Sequence, residues 1–382
     1  MELRVRRSAL AALCLSALSI PAWADINVGI SLCATGTGAA LGIPEKNTVA
    51  LLPTMIAGEK INYIVLDDAT DPTQATKNAR KLTAENNVDV LFGSSSVPPA
   101  LAVAEVANET RTPQLSMSPI ELAGAKNTWV FRTPQHNFVM AQALAEQMKV
   151  ARVKTLGFIG YTDGYGESWL KEMTKAAEAA GIRISAVERF NRTDTSVTAQ
   201  ALKLVSAKPD AILVVASGTP SAMPQLSLIE RGYKGQIYQT HGTATKEFIR
   251  VGGKAVNGTI LPVGPVVVAS QLPDNHPSKK IGIEYARLYE AKYGAGSLSS
   301  FGAYMLDAYQ LFAAAVPVAL KKAKPGTPEF RQALRDAIEN EREVVGTQGV
   351  FNMKPDDHFG HDARSRVLVR VEKGDWQLLS DK

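Results

Sequence analysis

The stretch VGISLCATGTGAALG, Val28 to Gly42, decides how the chain is read. It opens as an apolar, strand-like run and ends in Gly36, Gly38 and Gly42, a G-x-G-x-x-x-G spacing. A second strand-like run, INYIVLDD (61–68), closes on Asp67 and Asp68. Strand, glycines, helix, strand and acid outline a dinucleotide-binding unit, in which the helix begins inside the glycine run and its N-terminus meets the pyrophosphate. Here the expected helix start is Ile43–Pro44, after the last glycine, because proline suits the first helical turn. The glycines are then expected to form an extended loop at the mouth of a sheet. Thr35, Thr37 and Leu41 would face a small molecule there. An exported nucleotide-dependent enzyme stays as the remote alternative.

Outward from this stretch, strand-like and helix-like segments alternate. Strands are expected at 26–32, 61–68, 88–93 and 112–117, and helices at 43–56, 72–87 and 98–109. Asp71 before Pro72 is a good helix cap. This β-α-β-α-β-α-β order is the signature of a parallel sheet covered by helices. A second block repeats the plan, with helices at 136–150, 166–181, 195–207 and 220–232 and strands at 153–161, 182–190, 210–217, 236–240 and 258–263. Three helical runs (276–293, 300–323, 328–339) and three strand-like pieces (349–353, 365–371, 375–379) follow. The fold class is therefore α/β, with two Rossmann-like lobes. Crossings are expected near Thr128–Thr133, Val263–Ala269 and Gly346–Phe351. They divide the chain into a first lobe of 25–132 plus 266–346 and a second of 133–265 plus 347–382. Several crossings make a multi-strand hinge, which suits closure on a ligand.

The beginning of the chain points to export. MELRVRR is followed by a short apolar run and by Ala22-Trp23-Ala24, the layout of a secretory signal peptide over residues 1–24. Its removal takes away three Arg and one Glu, and the formal charge falls from +5 to +3. The body of the chain has no Lys/Arg cluster, which argues against a nucleic-acid partner. Cys33 would be the one cysteine left, so the fold is expected to rely on its core and not on a disulfide. No later run reads as apolar enough to cross a membrane.

Open α/β sheets bind ligands at the loops that follow their strands. The third strand ends in FGSSSVPPA, where Ser94, Ser95 and Ser96 precede a helix expected from Pro98 or Pro99. Free N–H groups at a helix start, together with hydroxyls, suit a single carboxylate. The next strand ends in LSMSPIEL, which brings Ser116, Met117 and Ser118 into the neighbouring loop. The competing reading is that these serines cap turns. In the second block, GYTDGYGESW (160–169) carries Tyr161, Tyr165 and Trp169, with Trp169 read as core. Ser217 and Gly218 (VVASGTPSAMP) and His241 (QTHGTAT) end the next two strands. The segment DDHFGHD (356–362) is rich in metal-ligating types, but Pro355 and Gly360 mark a turn and no metal is expected there. Neither G-x-S-x-G nor H-E-x-x-H occurs, so catalytic signals are weak, and no cofactor is expected because export removes the protein from the cytoplasmic cofactor pool.

Taken together, these segments resemble the type I periplasmic solute-binding proteins of ABC importers, the branched-chain amino acid, leucine-binding-protein-like type. The resemblance rests on Thr35-Gly36-Thr37-Gly38-Ala39-Ala40-Leu41-Gly42, LDDATDPTQA (66–75), GSSS (93–96), TPQLSMSP (112–119) and YGES (165–168). It implies two lobes closing on a small ligand, periplasmic location, a membrane permease as partner, no catalysis and a monomer. Ligand-carboxylate contacts would fall on Ser94 or Ser95, Ser116 and Ser118, with Tyr165 on the second lobe. Two departures stand out. The family's disulfide positions are Thr70 and Gly93 here, and the acidic residue that pairs an amino acid's ammonium is matched by His241. An imidazole is a poor ammonium partner. LGIPEKN (41–47) also resembles a branch associated with aromatic carboxylates. The expected ligand is a small organic carboxylate, with a benzoate or hydroxycinnamate derivative favoured over a branched-chain amino acid. A ligand sensor of the same fold is a further alternative.

Overall fold

The computed structural model describes residues 25–379; the expected signal peptide lies outside them. β1 (Ile26–Leu32) is almost wholly buried, which is why it reads as an unbroken apolar run. It is flanked by α1 (Ala39–Val49), and then come β2 (Met55–Ile56), β3 (Glu59–Asp67), α2 (Pro72–Ala84), β4 (Val90–Phe92), α3 (Val97–Thr110), β5 (Gln114–Ser116) and β6 (Val130–Arg132). The sheet order is β2-β3-β1-β4-β5-β6, parallel except for the β2–β3 hairpin. Asp71 caps α2 by accepting the Gln74 N–H.

The second sheet follows α4 (Asn137–Val150). Its strands are β7 (Thr155–Tyr161), β8 (Arg183–Phe190), β9 (Ala211–Val215), β10 (Gln236–Gln239) and β11 (Ile260–Val263). Between them lie α5 (Gly164–Ala179), α6 (Thr198–Ala207), α7 (Ala222–Glu230) and α8 (Lys246–Gly252), the last in a segment not expected to be helical. The chain then returns to the first lobe through α9 (Lys279–Tyr293), α10 (Ser300–Leu320), α11 (Pro328–Glu339) and the hairpin β12 (Val344–Val345) and β13 (Val350–Phe351). It ends with β14 (Val367–Glu372) and β15 (Asp375–Leu378), which complete the order β15-β14-β11-β10-β9-β7-β8. Leaving out the antiparallel edges, both sheets have the doubly wound order 2-1-3-4-5, and each has a switch point beside its first strand.

Several expectations need correction. α1 begins at Ala39, after a 3-10 turn at Gly36–Gly38, so the helix starts inside the glycine run and not at Ile43. Pro44 is tolerated within it, and Gly42 lets the helix lie against the end of β1: a Cβ there would be 2.2 Å from the Cys33 carbonyl oxygen. β6 pairs with β5 in the first sheet, so residues 130–132 belong to the first lobe and the first crossing follows Arg132. Two lobe limits also move. Phe351 and Met353 pack in the first lobe's core, so the final crossing comes after Met353 and not at 346. Val266 packs with α9 and α10 while Val268, Ala269 and Leu272 pack with β11 and β14, so the chain passes between the two cores over 266–272. The crossings are tied by buried Gln135, whose Nε2 donates to the Gln348 carbonyl (2.9 Å) and to the Ser365 carbonyl (2.8 Å).

By length and composition α10 is apolar enough to span a membrane, contrary to the reading above. Its Phe301, Tyr304, Met305, Ala308, Leu311 and Phe312 are instead buried against β1, β4 and α11. Buried Asp307 on α10 accepts the N–H groups of Thr347 (2.7 Å) and Gln348 (2.9 Å), which fastens the β12–β13 turn to the helix.

Candidate functional site

The two switch points face each other. Between them lies a narrow cavity. From the first lobe it is lined by Leu41 of α1, by Ser95, Ser96 and Val97 at the start of α3, by Met117, Ser118 and Pro119 after β5, and by Phe301 and Tyr304 of α10. The second lobe contributes Tyr165, Arg192, Ser217, His241 and Gly242, and Pro134 comes from the crossing. The lobes touch at the rim: a Cβ on Gly218 would lie 2.7 Å from Leu41 Cδ1. Glu121, in the first lobe, accepts from Ser168 Oγ (2.6 Å) and Lys171 Nζ (3.1 Å) of α5 across the cleft.

Of the residues expected to face a ligand, Leu41, Ser95, Met117, Ser118, Tyr165, Ser217 and His241 line this cavity. Four do not. Thr37 is exposed on the 3-10 turn. Gly218 contributes the rim contact with Leu41. Ser94 donates to buried Asp68 (2.7 Å), and Ser116 donates to the Ser118 carbonyl (2.9 Å). Those two hydroxyls serve the loops themselves, the competing reading weighed from sequence. The start of α3 is also a poorer anion site than expected. Pro98 and Pro99 in its first turn carry no N–H, which leaves Val97 the free donor of that turn.

The same principle deals with the glycine run. Thr35 N–H and Oγ1 donate to the Asp67 carboxylate, and Gly38 N–H donates to Thr70 Oγ1. The acid at the end of β3 and the donors at the start of the glycine turn satisfy one another. A pyrophosphate would have to displace both.

Arg192 is the cation of the cavity, and sequence reading passed over it. It follows the end of β8, so the strand-loop rule that picked out the other residues applies to it equally. Its Nη1 donates to Ser217 Oγ (3.0 Å), its Nε pairs with Asp163, and its guanidinium lies 4.1 Å from the Tyr161 ring centroid. Asp163 is itself the cap of α5, accepting the Tyr165 N–H (2.9 Å). The lining includes no Asp or Glu.

His241 is buried between Tyr165 and Trp169, and its ring centroid is 5.7 Å from that of Trp169. Trp169 is fully buried, the core role expected of it. Burial pulls the His241 imidazole down to about 3 from its ordinary 6.5, so it is neutral, and its Nδ1 has no partner among the described residues. The unfolded chain takes up this proton below about pH 6.5 while the folded chain does not. The full stability is present above that pH and is lost as pH falls toward 3. Urea midpoints of the wild type should therefore drop more steeply between pH 7 and 4 than those of His241→Gln. Equal slopes would mean the imidazole titrates freely in the folded state.

The histidines of 356–362 are committed to protein partners. His358 Nε2 meets Glu339 (3.0 Å), and His361 bonds Ser365 Oγ and the Thr133 carbonyl. Among the described residues no group of three or more His, Cys, Asp or Glu is placed to hold a metal.

Comparison with known proteins agrees with this architecture. Residues 25–375 match a family model described as periplasmic binding protein. An extracellular ligand-binding receptor from Rhodopseudomonas palustris is 47% identical, with a TM-score of 0.92 over 93% of this chain and 99% of that one. A Leu/Ile/Val-binding protein homolog 1 of Brucella suis is 26% identical, the match covering 64% of this chain and 68% of the relative. The solute-binding protein of an ABC transporter from Rhodopseudomonas palustris BisB5, solved in complex with 3,4-dihydroxy benzoic acid, shares the fold. Its identity is 19% and its TM-score 0.77, over 92% of this chain and 95% of that one.

Proposed function

The chain belongs to the periplasmic binding protein family, and from that premise we propose that it captures a small aromatic monocarboxylate between its lobes and delivers it to the membrane permease of an ABC importer. One observation carries the choice of ligand: the cavity lining holds one cation, Arg192, and no carboxylate. The guanidinium is paired with Asp163 through Nε, and its Nη edge on the cavity side can still donate to a ligand carboxylate. The ammonium of an amino acid would face a guanidinium and a neutral imidazole, with no anion on the lining to pair it, and an unpaired buried charge is costly. The walls suit an aromatic body. Phe301, Tyr304, Tyr165 and His241 offer ring faces and edges, and Leu41, Val97, Met117 and the two prolines fill the rest. Ser95, Ser118 and Ser217 supply short polar contacts that orient the ligand's polar ends.

The rival ligand is a branched-chain amino acid, favoured by the names of the Brucella Leu/Ile/Val-binding protein homologues. The fold accommodates the aromatic kind as well, as the complex with 3,4-dihydroxy benzoic acid illustrates. Titration calorimetry separates the two. Binding heat is expected with 4-hydroxybenzoate or 4-hydroxycinnamate and none with leucine. Tight leucine binding without a response to the aromatic acids would overturn the proposal.

A further inference from the structure

Behind the first-lobe wall of the cavity sits a carboxyl group that the site does not account for. Glu45 of α1 is fully buried, at 0% exposure. Its Oε2 is hydrogen-bonded to Ser95 Oγ, and its Oε1 has no partner. Among the described residues, no N–H group and no cation reaches it. The titratable groups around it are Cys33 and Asp68 on the loops after β1 and β3, Tyr285 on α9 and Tyr304 on α10. All are neutral or acidic, and Lys46, next in the chain, points to solvent. A carboxylate so placed would carry its charge with one hydroxyl as its only partner, a cost that protonation removes. Burial, reinforced by the Asp68 charge, does push this group well above the ordinary carboxylate range.

A protonated Glu45 has one hydrogen to give, and Ser95 Oγ is the acceptor within reach. That oxygen already accepts the Cys33 N–H at 3.0 Å. With both lone pairs filled, the Ser95 hydroxyl must donate its own hydrogen elsewhere, and the open side of Ser95 is the cavity it lines. Were Glu45 ionised, the serine hydrogen would turn inward to it, leaving an oxygen acceptor and a nearby negative charge facing an anionic ligand.

We infer that Glu45 is the positioning residue of the carboxylate anchor: its carboxylic acid donates to Ser95 Oγ and so turns the Ser95 hydroxyl hydrogen into the cavity, toward an anion. Glu45 does not touch the ligand. It sets the polarity of the serine that does, and so selects an acceptor ligand over a donor at that point. This inference rests on the reading of the ligand as a carboxylate.

The test has one arm without ligand and one with 4-hydroxybenzoate, both on the whole chain. In the first, infrared difference spectra of wild type and Glu45→Gln at pH 7 should show a protonated-carboxyl carbonyl band that the variant loses. In the second, Glu45→Met, which has no donor, should weaken binding by about tenfold. Glu45→Gln, whose amide also donates to Ser95 Oγ, should restore it to within about threefold of wild type. In a Ser95→Ala background the difference between Met and Gln should vanish, because the two residues act as one unit. The inference fails if no band is lost, or if Met and Gln bind alike with Ser95 in place. If Glu45→Met does not fold, a Glu45→Gln variant that folds but binds at least tenfold more weakly than wild type overturns it, since that would mean an ionised Glu45 is needed. A wild type that binds leucine and no aromatic acid sinks the proposed function, while the infrared arm still decides the state of Glu45.

Discussion

Replacing Arg192 with glutamine should weaken binding of 4-hydroxybenzoate by roughly 10- to 100-fold, since a hydrogen bond to a charged group contributes about 1.5–3 kcal/mol and each 1.4 kcal/mol is about tenfold. The effect is large because the guanidinium is held ready. Ser217 Oγ, the Asp163 carboxylate and the Tyr161 ring fix its position before a ligand arrives, so little side-chain entropy is left to lose on binding. Only 15% of the side chain is exposed, which limits screening by water. The substitution also unmasks Asp163, whose negative charge then opposes an anionic ligand. Asp163→Asn in the Arg192→Gln background should therefore recover part of the loss. Calorimetry on the three proteins measures both effects. An Arg192→Gln variant that binds like the wild type would place the ligand's carboxylate elsewhere in the cleft.

The second large effect concerns stability. Gly42→Ala is expected to lower the urea midpoint, although alanine is the better helix former by about 1 kcal/mol. The opposing term is geometric. The added Cβ would lie 2.2 Å from the carbonyl oxygen and 2.3 Å from the carbonyl carbon of Cys33. Both are main-chain atoms at the end of β1, so no rotamer change relieves the overlap, and α1 or the loop must shift. Overpacking of this kind costs about 1–3 kcal/mol, occasionally more, which outweighs the helical gain. Leu41 would move with the helix, so ligand affinity should fall as well. A stabilised variant would mean that α1 does not lie against Cys33 in solution.

How much of this was legible beforehand differs from element to element. The strands at 26–32, 59–67 and 155–161 and the helices at 72–84 and 137–150 declare themselves, because each combines a long apolar pattern with a cap or a turn residue. β6 did not, because three fully buried residues show no alternation and look like any apolar crossing. The start of α1 was misplaced because Pro44 suggested a first turn, while the helix begins five residues earlier. The lobe limits near 266 and 346 depend on which core the crossing residues pack into, and composition does not report that. At the site, the loops after strands were the right places to look. The direction of each hydroxyl in them was not readable: Ser95 lines the cavity while Ser94 turns to Asp68, one residue apart.

Sequence alone therefore determined the α/β class, the two-block order and the loops that carry the site, because hydrophobic periodicity and turn chemistry are local properties. The tertiary structure decided which side chains share the cavity. Arg192 and Tyr304 are separated by more than a hundred positions along the chain, and only the facing of two sheet edges brings them to one cavity. It also decided the charge of His241 and Glu45, because a protonation state depends on the surrounding solvent and partners, and burial supplies those only after the chain has folded.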